Sequence, residues 1–125
     1  MGQLKNMENQ EVKNSQKKEA TELGKAYFAG VLDSGSSVGF YKVGTGREVP
    51  MVRIRRRQPE NLRYIKNFWK GSLVQTKTAW ELTLTYRSAV RFLQDIRKFL
   101  INPVKQQAAD QIIEFYRDKP EDEYR

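Results

Sequence analysis

The sequence predicts an α+β domain in the order α-β-β-α-β-β-α-α, and three observations carry that expectation. Two pairs of short alternating runs, 38–43 with 51–57 and 73–78 with 80–85, are each joined by a turn or a brief break. Stretches with apolar residues at helical spacing precede, separate and follow them. No Pro/Gly/Ser-rich linker interrupts residues 16–117, so this stretch is expected to form one unit. Residues 1–15 are polar and weakly periodic and read as a flexible arm, and 118–125 as a charged tail.

The first helix is expected over 16–33. Ser15 is a capping residue, Glu19 suits the first turns, and Ala20, Leu23, Tyr27 and Val31 form the apolar stripe. Gly35-Ser36 breaks it. Strands at 38–43 and 51–57 flank the turn Gly44-Thr45-Gly46, and Pro59 ends the second. A short helix over 62–70 has Asn61 as its expected cap and Leu62, Ile65 and Phe68-Trp69 as its buried face, and Gly71 closes it. Strands follow at 73–78 and 80–85. A helix from Ser88 is expected to bury Val90, Leu93, Ile96 and Leu100 until Pro103 ends it. A last helix over 104–116 is expected to bury Ala108, Ile112 and Tyr116.

Composition narrows the chemistry. The 125 residues include no cysteine and no histidine, which removes disulfides, thiolate metal sites and the commonest general base. Any chemistry must rest on carboxylates, lysine or bound metal. Net charge is +8, from 23 basic against 15 acidic side chains, which suits a polyanionic partner. The surplus is concentrated: Lys42, Arg47, Arg53, Arg55, Arg56, Arg57, Arg63, Lys66 and Lys70 face only Glu48 and Glu60 over residues 41–70. No apolar run approaches membrane-spanning length, and the N-terminus lacks the apolar core of a secretory signal. An intracellular protein is expected, in the cytoplasm or an organelle, with no membrane partner.

Alternation places Arg53, Arg55 and Arg57 on one strand face and Val52 and Ile54 on the other. The later strands are expected to add Gln75 and Lys77, and Glu81, Thr83 and Thr85, to the polar face, with Tyr41 and Thr45 extending it and Arg47 nearby. Arginine suits phosphate and guanine edges, and Gln, Lys, Thr and Glu can all contact bases. A solvated charged face is the plain alternative for three arginines by themselves.

Residues 27–39 read Y-F-A-G-V-L-D-S-G-S-S-V-G. Phe28-Ala29-Gly30-Val31-Leu32-Asp33-Ser34-Gly35-Ser36 resembles, position for position, the motif of LAGLIDADG homing endonucleases. The stretch from Trp80 through Ala108 is similar to the back half of such domains. Together the two likenesses span roughly 16–116. The resemblance implies a four-stranded antiparallel, saddle-shaped sheet backed by helices. It also implies a homodimer through the 16–33 helix, in which the small residues Ala26, Ala29 and Gly30 let two helices approach closely. A two-fold dimer would recognise a pseudo-palindromic duplex site.

In that family the eighth motif position is the metal-binding acid, and here it is Gly35. Asp33 projects about 200° around the helix from the position two residues on, so it does not replace the acid and is expected to bond local backbone at the helix end. Ser36 also departs from the family's glycine. Lys105 matches a lysine that some members place near the active site, although a plain first-turn surface lysine is the simpler reading. The resemblance leaves open a double-stranded DNA-binding protein with impaired or lost cleavage, an active endonuclease using Mg²⁺, and an intron splicing factor (maturase) binding structured RNA.

Overall fold

The computed structural model describes residues 20–44 and 46–120. The expected arm, the start of the first helix with Ser15 and Glu19, Thr45 and the end of the tail lie outside them. Among the described residues there are four α-helices, one 3-10 turn and four strands: α1 (Glu22–Asp33), β1 (Ser36–Val43), β2 (Arg47–Arg56), α2 (Glu60–Trp69), β3 (Ser72–Gln75), β4 (Trp80–Thr85), α3 (Tyr86–Ile96), the 3-10 turn Arg97–Phe99, and α4 (Pro103–Tyr116). The order is the one that the sequence predicts. No helix among the described residues is long and apolar enough to cross a membrane.

The strands form one antiparallel sheet in the order β1-β2-β4-β3. Its two faces differ by residue parity. Val52, Ile54, Leu82 and Leu84 are fully buried and share one core with Phe28, Leu32, Leu62, Ile65, Phe92, Leu93, Ile96 and Ile112 from the helices. The alternate residues Arg53, Arg55, Glu81, Thr83 and Thr85 stand outside that core. The helices therefore cover one face. Pro50 sits in β2 opposite Phe40, just before β4 begins pairing at Met51 with Thr85. There β2 has a single neighbour, so the missing N–H of proline breaks no second ladder.

Several local expectations give way to tertiary packing. Thr21 caps α1 by accepting from the Gly24 amide. Leu23 and Tyr27 of the expected apolar stripe are 82% and 53% exposed, and Phe28, Ala29, Val31 and Leu32 are the inward face. Helix α2 starts two residues earlier than expected, with Pro59 rather than Asn61 at its cap. β3 ends at Gln75, because Thr76 already forms the turn, its amide and hydroxyl both bonding the Ala79 carbonyl. α3 follows β4 directly, before Ser88, with Tyr86 at φ +50°.

The chain leaves helix at Phe99, ahead of Pro103, and Leu100 is buried in extended backbone. Pro103 opens α4, where a missing N–H costs nothing. The buried alanine of α4 is Ala109, whereas Ala108 is half-buried. Gly71 is held by close approach: a Cβ there would meet Leu84 at 2.4 Å and the Thr83 carbonyl at 2.9 Å.

Beneath the sheet, Trp69 packs edge-on against Phe28 (5.7 Å between ring centroids) and Phe92 (4.8 Å), and its indole N–H donates to Asp95 at 2.8 Å. This satisfies the polar handle of a large buried ring and fixes α2 against α3.

Candidate nucleic-acid interface and the tip of the first helix

The outer face of the sheet follows from register. Directly opposed residues share a face, so Ser37, Gly39, Tyr41 and Val43 of β1 stand beside Arg53, Met51, Val49 and Arg47 of β2. Across β2, Thr85, Thr83 and Glu81 of β4 oppose Met51, Arg53 and Arg55. The structure thus brings Tyr41, Arg47, Arg53, Arg55, Glu81, Thr83 and Thr85 onto one face. Val49 and Met51 form a buried apolar strip within it, and Arg53 Nη2 lies 3.4 Å from the Met51 sulfur.

Three predicted residues are placed differently. Gln75 opposes Trp80, on the helix-side parity, and β3 presents Ser72 and Val74 outward instead. The register of the β3–β4 hairpin decides this, and alternation within an isolated run cannot. Lys77 lies in the turn between β3 and β4, and Arg57 lies in the bend after β2.

Charge on this face is organised around Glu81. Its carboxylate sits 3.7 Å from Arg53 Nε and 3.1 Å from Arg55 Nη2. It separates two like charges that would otherwise repel, and leaves both guanidinium groups partly open, with 46% and 62% of their side chains exposed. Arg47 reaches over the Tyr86 ring, 5.4 Å from its centroid. With one acid among three arginines, the face is net cationic.

The tip of α1 is built quite differently. A helix C-terminus leaves carbonyls without partners and carries partial negative charge. The last turn of α1 contains no basic residue, so other elements close it. Arg56 of β2 donates from Nη2 to the Val31 carbonyl (2.6 Å) and to Ser34 Oγ (2.9 Å). Its Nη1 donates to the carbonyls of Gly35 (3.3 Å) and Arg55 (2.8 Å). Ser36 Oγ donates to the Leu32 carbonyl (2.5 Å), and Asn102 Nδ2 to the Asp33 carbonyl (3.5 Å). Lys105 Nζ bonds the Ser36 carbonyl. Lys105 is therefore a half-buried part of this tip and not a free surface lysine.

Asp33 does not bond local backbone as expected. Its carboxylate accepts the amides of Ile101 (2.9 Å) and Asn102 (3.2 Å), tying α1 to the loop before α4. Alternation does place Arg56 opposite Arg55, but nothing local identifies its partners at the α1 tip, which lie 21 to 25 residues upstream.

A hard divalent ion at this tip would need carboxylate oxygens. The residues do not fit one. Gly35 has no side chain, Asp33 is committed to two amides, and the nearby carbonyls accept from Arg56 and Lys105. Among the described residues no three of His, Cys, Asp and Glu form a group able to hold a metal ion.

Of the small residues on α1, Ala29 is fully buried in the chain's own core, Ala26 is half-buried, and Gly30 is exposed with open space where a Cβ would project. The outward stripe is Leu23, Tyr27 and Gly30.

No protein-family model matches the chain, and no curated protein matches it in sequence. Solved structures do match in three dimensions. The homing endonuclease I-CvuI, in a complex with the I-CreI target in which magnesium is present and the DNA is not cleaved, superposes with a TM-score of 0.65 at 16% identity, over 78% of this chain and 69% of that one. The LAGLIDADG homing endonuclease I-GzeII, in complex with its DNA target, gives 0.61 at 15% identity, over 76% of this chain and only 36% of that one. The homing endonuclease I-TnaI gives 0.54 at 15% identity, over 74% and 73%. Element order, strand order and these superpositions agree: this chain has the LAGLIDADG homing endonuclease fold.

Proposed function

We propose that this chain is a double-stranded DNA-binding protein of the LAGLIDADG type that does not cleave DNA by itself. The observation that carries the reading is the contrast between its two basic regions. The outer sheet face offers Arg47, Arg53 and Arg55, while the α1 tip, where cleavage would require an acid, offers Gly35 and the committed Arg56. Solved proteins of this fold hold DNA targets, and divalent ions accompany the I-CvuI complexes.

Arg53, Arg55 and the threonines of β4 are suited to phosphates and major-groove base edges. The exposed stripe of Leu23, Tyr27 and Gly30 supports pairing of α1 with its copy in a second chain, and a two-fold dimer would read two related half-sites.

The test is selection from a randomised duplex pool, followed by incubation of supercoiled plasmid carrying the selected site with Mg²⁺. Salt-sensitive duplex binding without strand breaks is the expected result. Metal-dependent double-strand cuts would overturn the claim of inactivity, and preference for a structured intron RNA over any selected duplex would move the function to splicing. Sedimentation of the complex should show two protein copies per duplex; a single copy at saturation excludes the paired-helix arrangement.

A further inference from the structure

We infer that Arg56 is a resident cation at the α1 tip: it fills with a guanidinium the role that a divalent ion would otherwise take there, so restoring an acid at position 35 creates an internal ion pair rather than a metal site. The inference deepens the functional reading above and rests on it for taking position 35 as the acid position.

The guanidinium has five N–H donors. The four on Nη1 and Nη2 are matched by the carbonyls of Val31, Gly35 and Arg55 and by Ser34 Oγ, leaving Nε–H. Such a group is fixed in place, unlike the outward arginines, and its charge faces the negative end of α1. Lys105 adds a second positive charge on the neighbouring Ser36 carbonyl. A divalent ion approaching this tip would meet two fixed cations and carbonyls already in use.

A Cβ built on Gly35 lies 3.9 Å from Arg56 Nη1, its one neighbour within 4 Å. A carboxylate added there has Arg56 as its nearest charge. Gly35 also sits at φ +146°, where a side chain strains the backbone. The glycine at position 35 and the fixed position of Arg56 therefore reinforce one another.

The test uses the full chain without DNA, and compares Gly35→Asp with Gly35→Asp/Arg56→Gln and Gly35→Asp/Arg56→Lys. Carbon-detected NMR titration follows the introduced carboxyl. In Gly35→Asp it should titrate about one pH unit or more below the ordinary aspartate range, stay low with Arg56→Lys, and return to that range with Arg56→Gln. Mn²⁺ titration followed by electron paramagnetic resonance should show no greater loss of the free-ion signal with Gly35→Asp than with the unmodified chain.

An introduced carboxyl that titrates normally beside Arg56 overturns the proposal, as does saturable Mn²⁺ binding by Gly35→Asp that the unmodified chain lacks. If Arg56→Gln does not fold, the titration in Gly35→Asp still decides. Because no duplex is present, a negative result leaves DNA binding untouched, and a failure to bind DNA leaves this measurement unchanged.

Discussion

Arg55 and Arg56 are neighbours in one strand, with opposite fates. Arg55 points to the outer face, shares Glu81 with Arg53 and keeps most of its side chain in solvent. Arg56 turns inward, and both of its terminal nitrogens are consumed by the end of α1 and the adjoining backbone. The difference teaches that basic composition is a poor measure of binding capacity. A guanidinium can serve a polyanion only while its donors are uncommitted, and the strand's two-residue period assigns the neighbours to different tasks.

The largest effect should come from the outer face. Replacing Arg47, Arg53 and Arg55 together with alanine is expected to remove duplex binding at moderate salt, each lost phosphate contact making the log–log salt slope shallower by about 0.9. Fluorescence anisotropy across a salt series checks this, and an unaltered slope breaks the assignment of that face. On the other side of β2, Ile54→Ala should cost about 2–5 kcal/mol of folding free energy, because it empties fully buried volume beneath the sheet. Urea unfolding provides the measurement.

Arg56→Ala sharpens the comparison. It strips donors from the α1 tip, and about 1–3 kcal/mol of stability should go with them, while the salt slope of duplex binding stays near that of the unmodified chain. Arg55→Ala should do the reverse: an exposed ion pair is worth about 1 kcal/mol or less, but duplex affinity should fall. Equal effects of the two substitutions on both measurements would erase the distinction.

The smallest expected effect lies outside both regions. The hydrogen bond from Arg97, aided by its charge, holds the Asp110 carboxyl below its ordinary value. A carboxyl depressed in the folded state favours folding above its unfolded value, and that contribution disappears as pH falls through the lower folded value. Asp110 is 56% exposed, so Asp110→Asn should cost only a few tenths of a kcal/mol at neutral pH. At strongly acidic pH, where the carboxyl is protonated in both states, the cost should vanish. Urea unfolding at both pH values reads the difference.

Much of the fold was legible. Periods of two and 3.6, punctuated by Gly44, Gly46, Pro59 and Gly71, determined the element order and the core positions Val52, Ile54, Leu62, Ile65, Val90, Leu93, Ile96 and Ile112. They also placed Arg53 and Arg55 outward, since alternation within one strand is a local property. The residues 28–36 marked the helix that carries the tip.

Only the tertiary structure decided the rest. Gln75 changed faces because the hairpin register is set between strands. Leu23 and Tyr27 became surface because three-dimensional packing selects which stripe of a helix turns inward. Asp33, Arg56 and Lys105 found partners 21 to 69 residues away. A side chain's hydrogen-bonding obligations are fixed by what folding brings beside it, and no periodicity along the chain encodes that proximity.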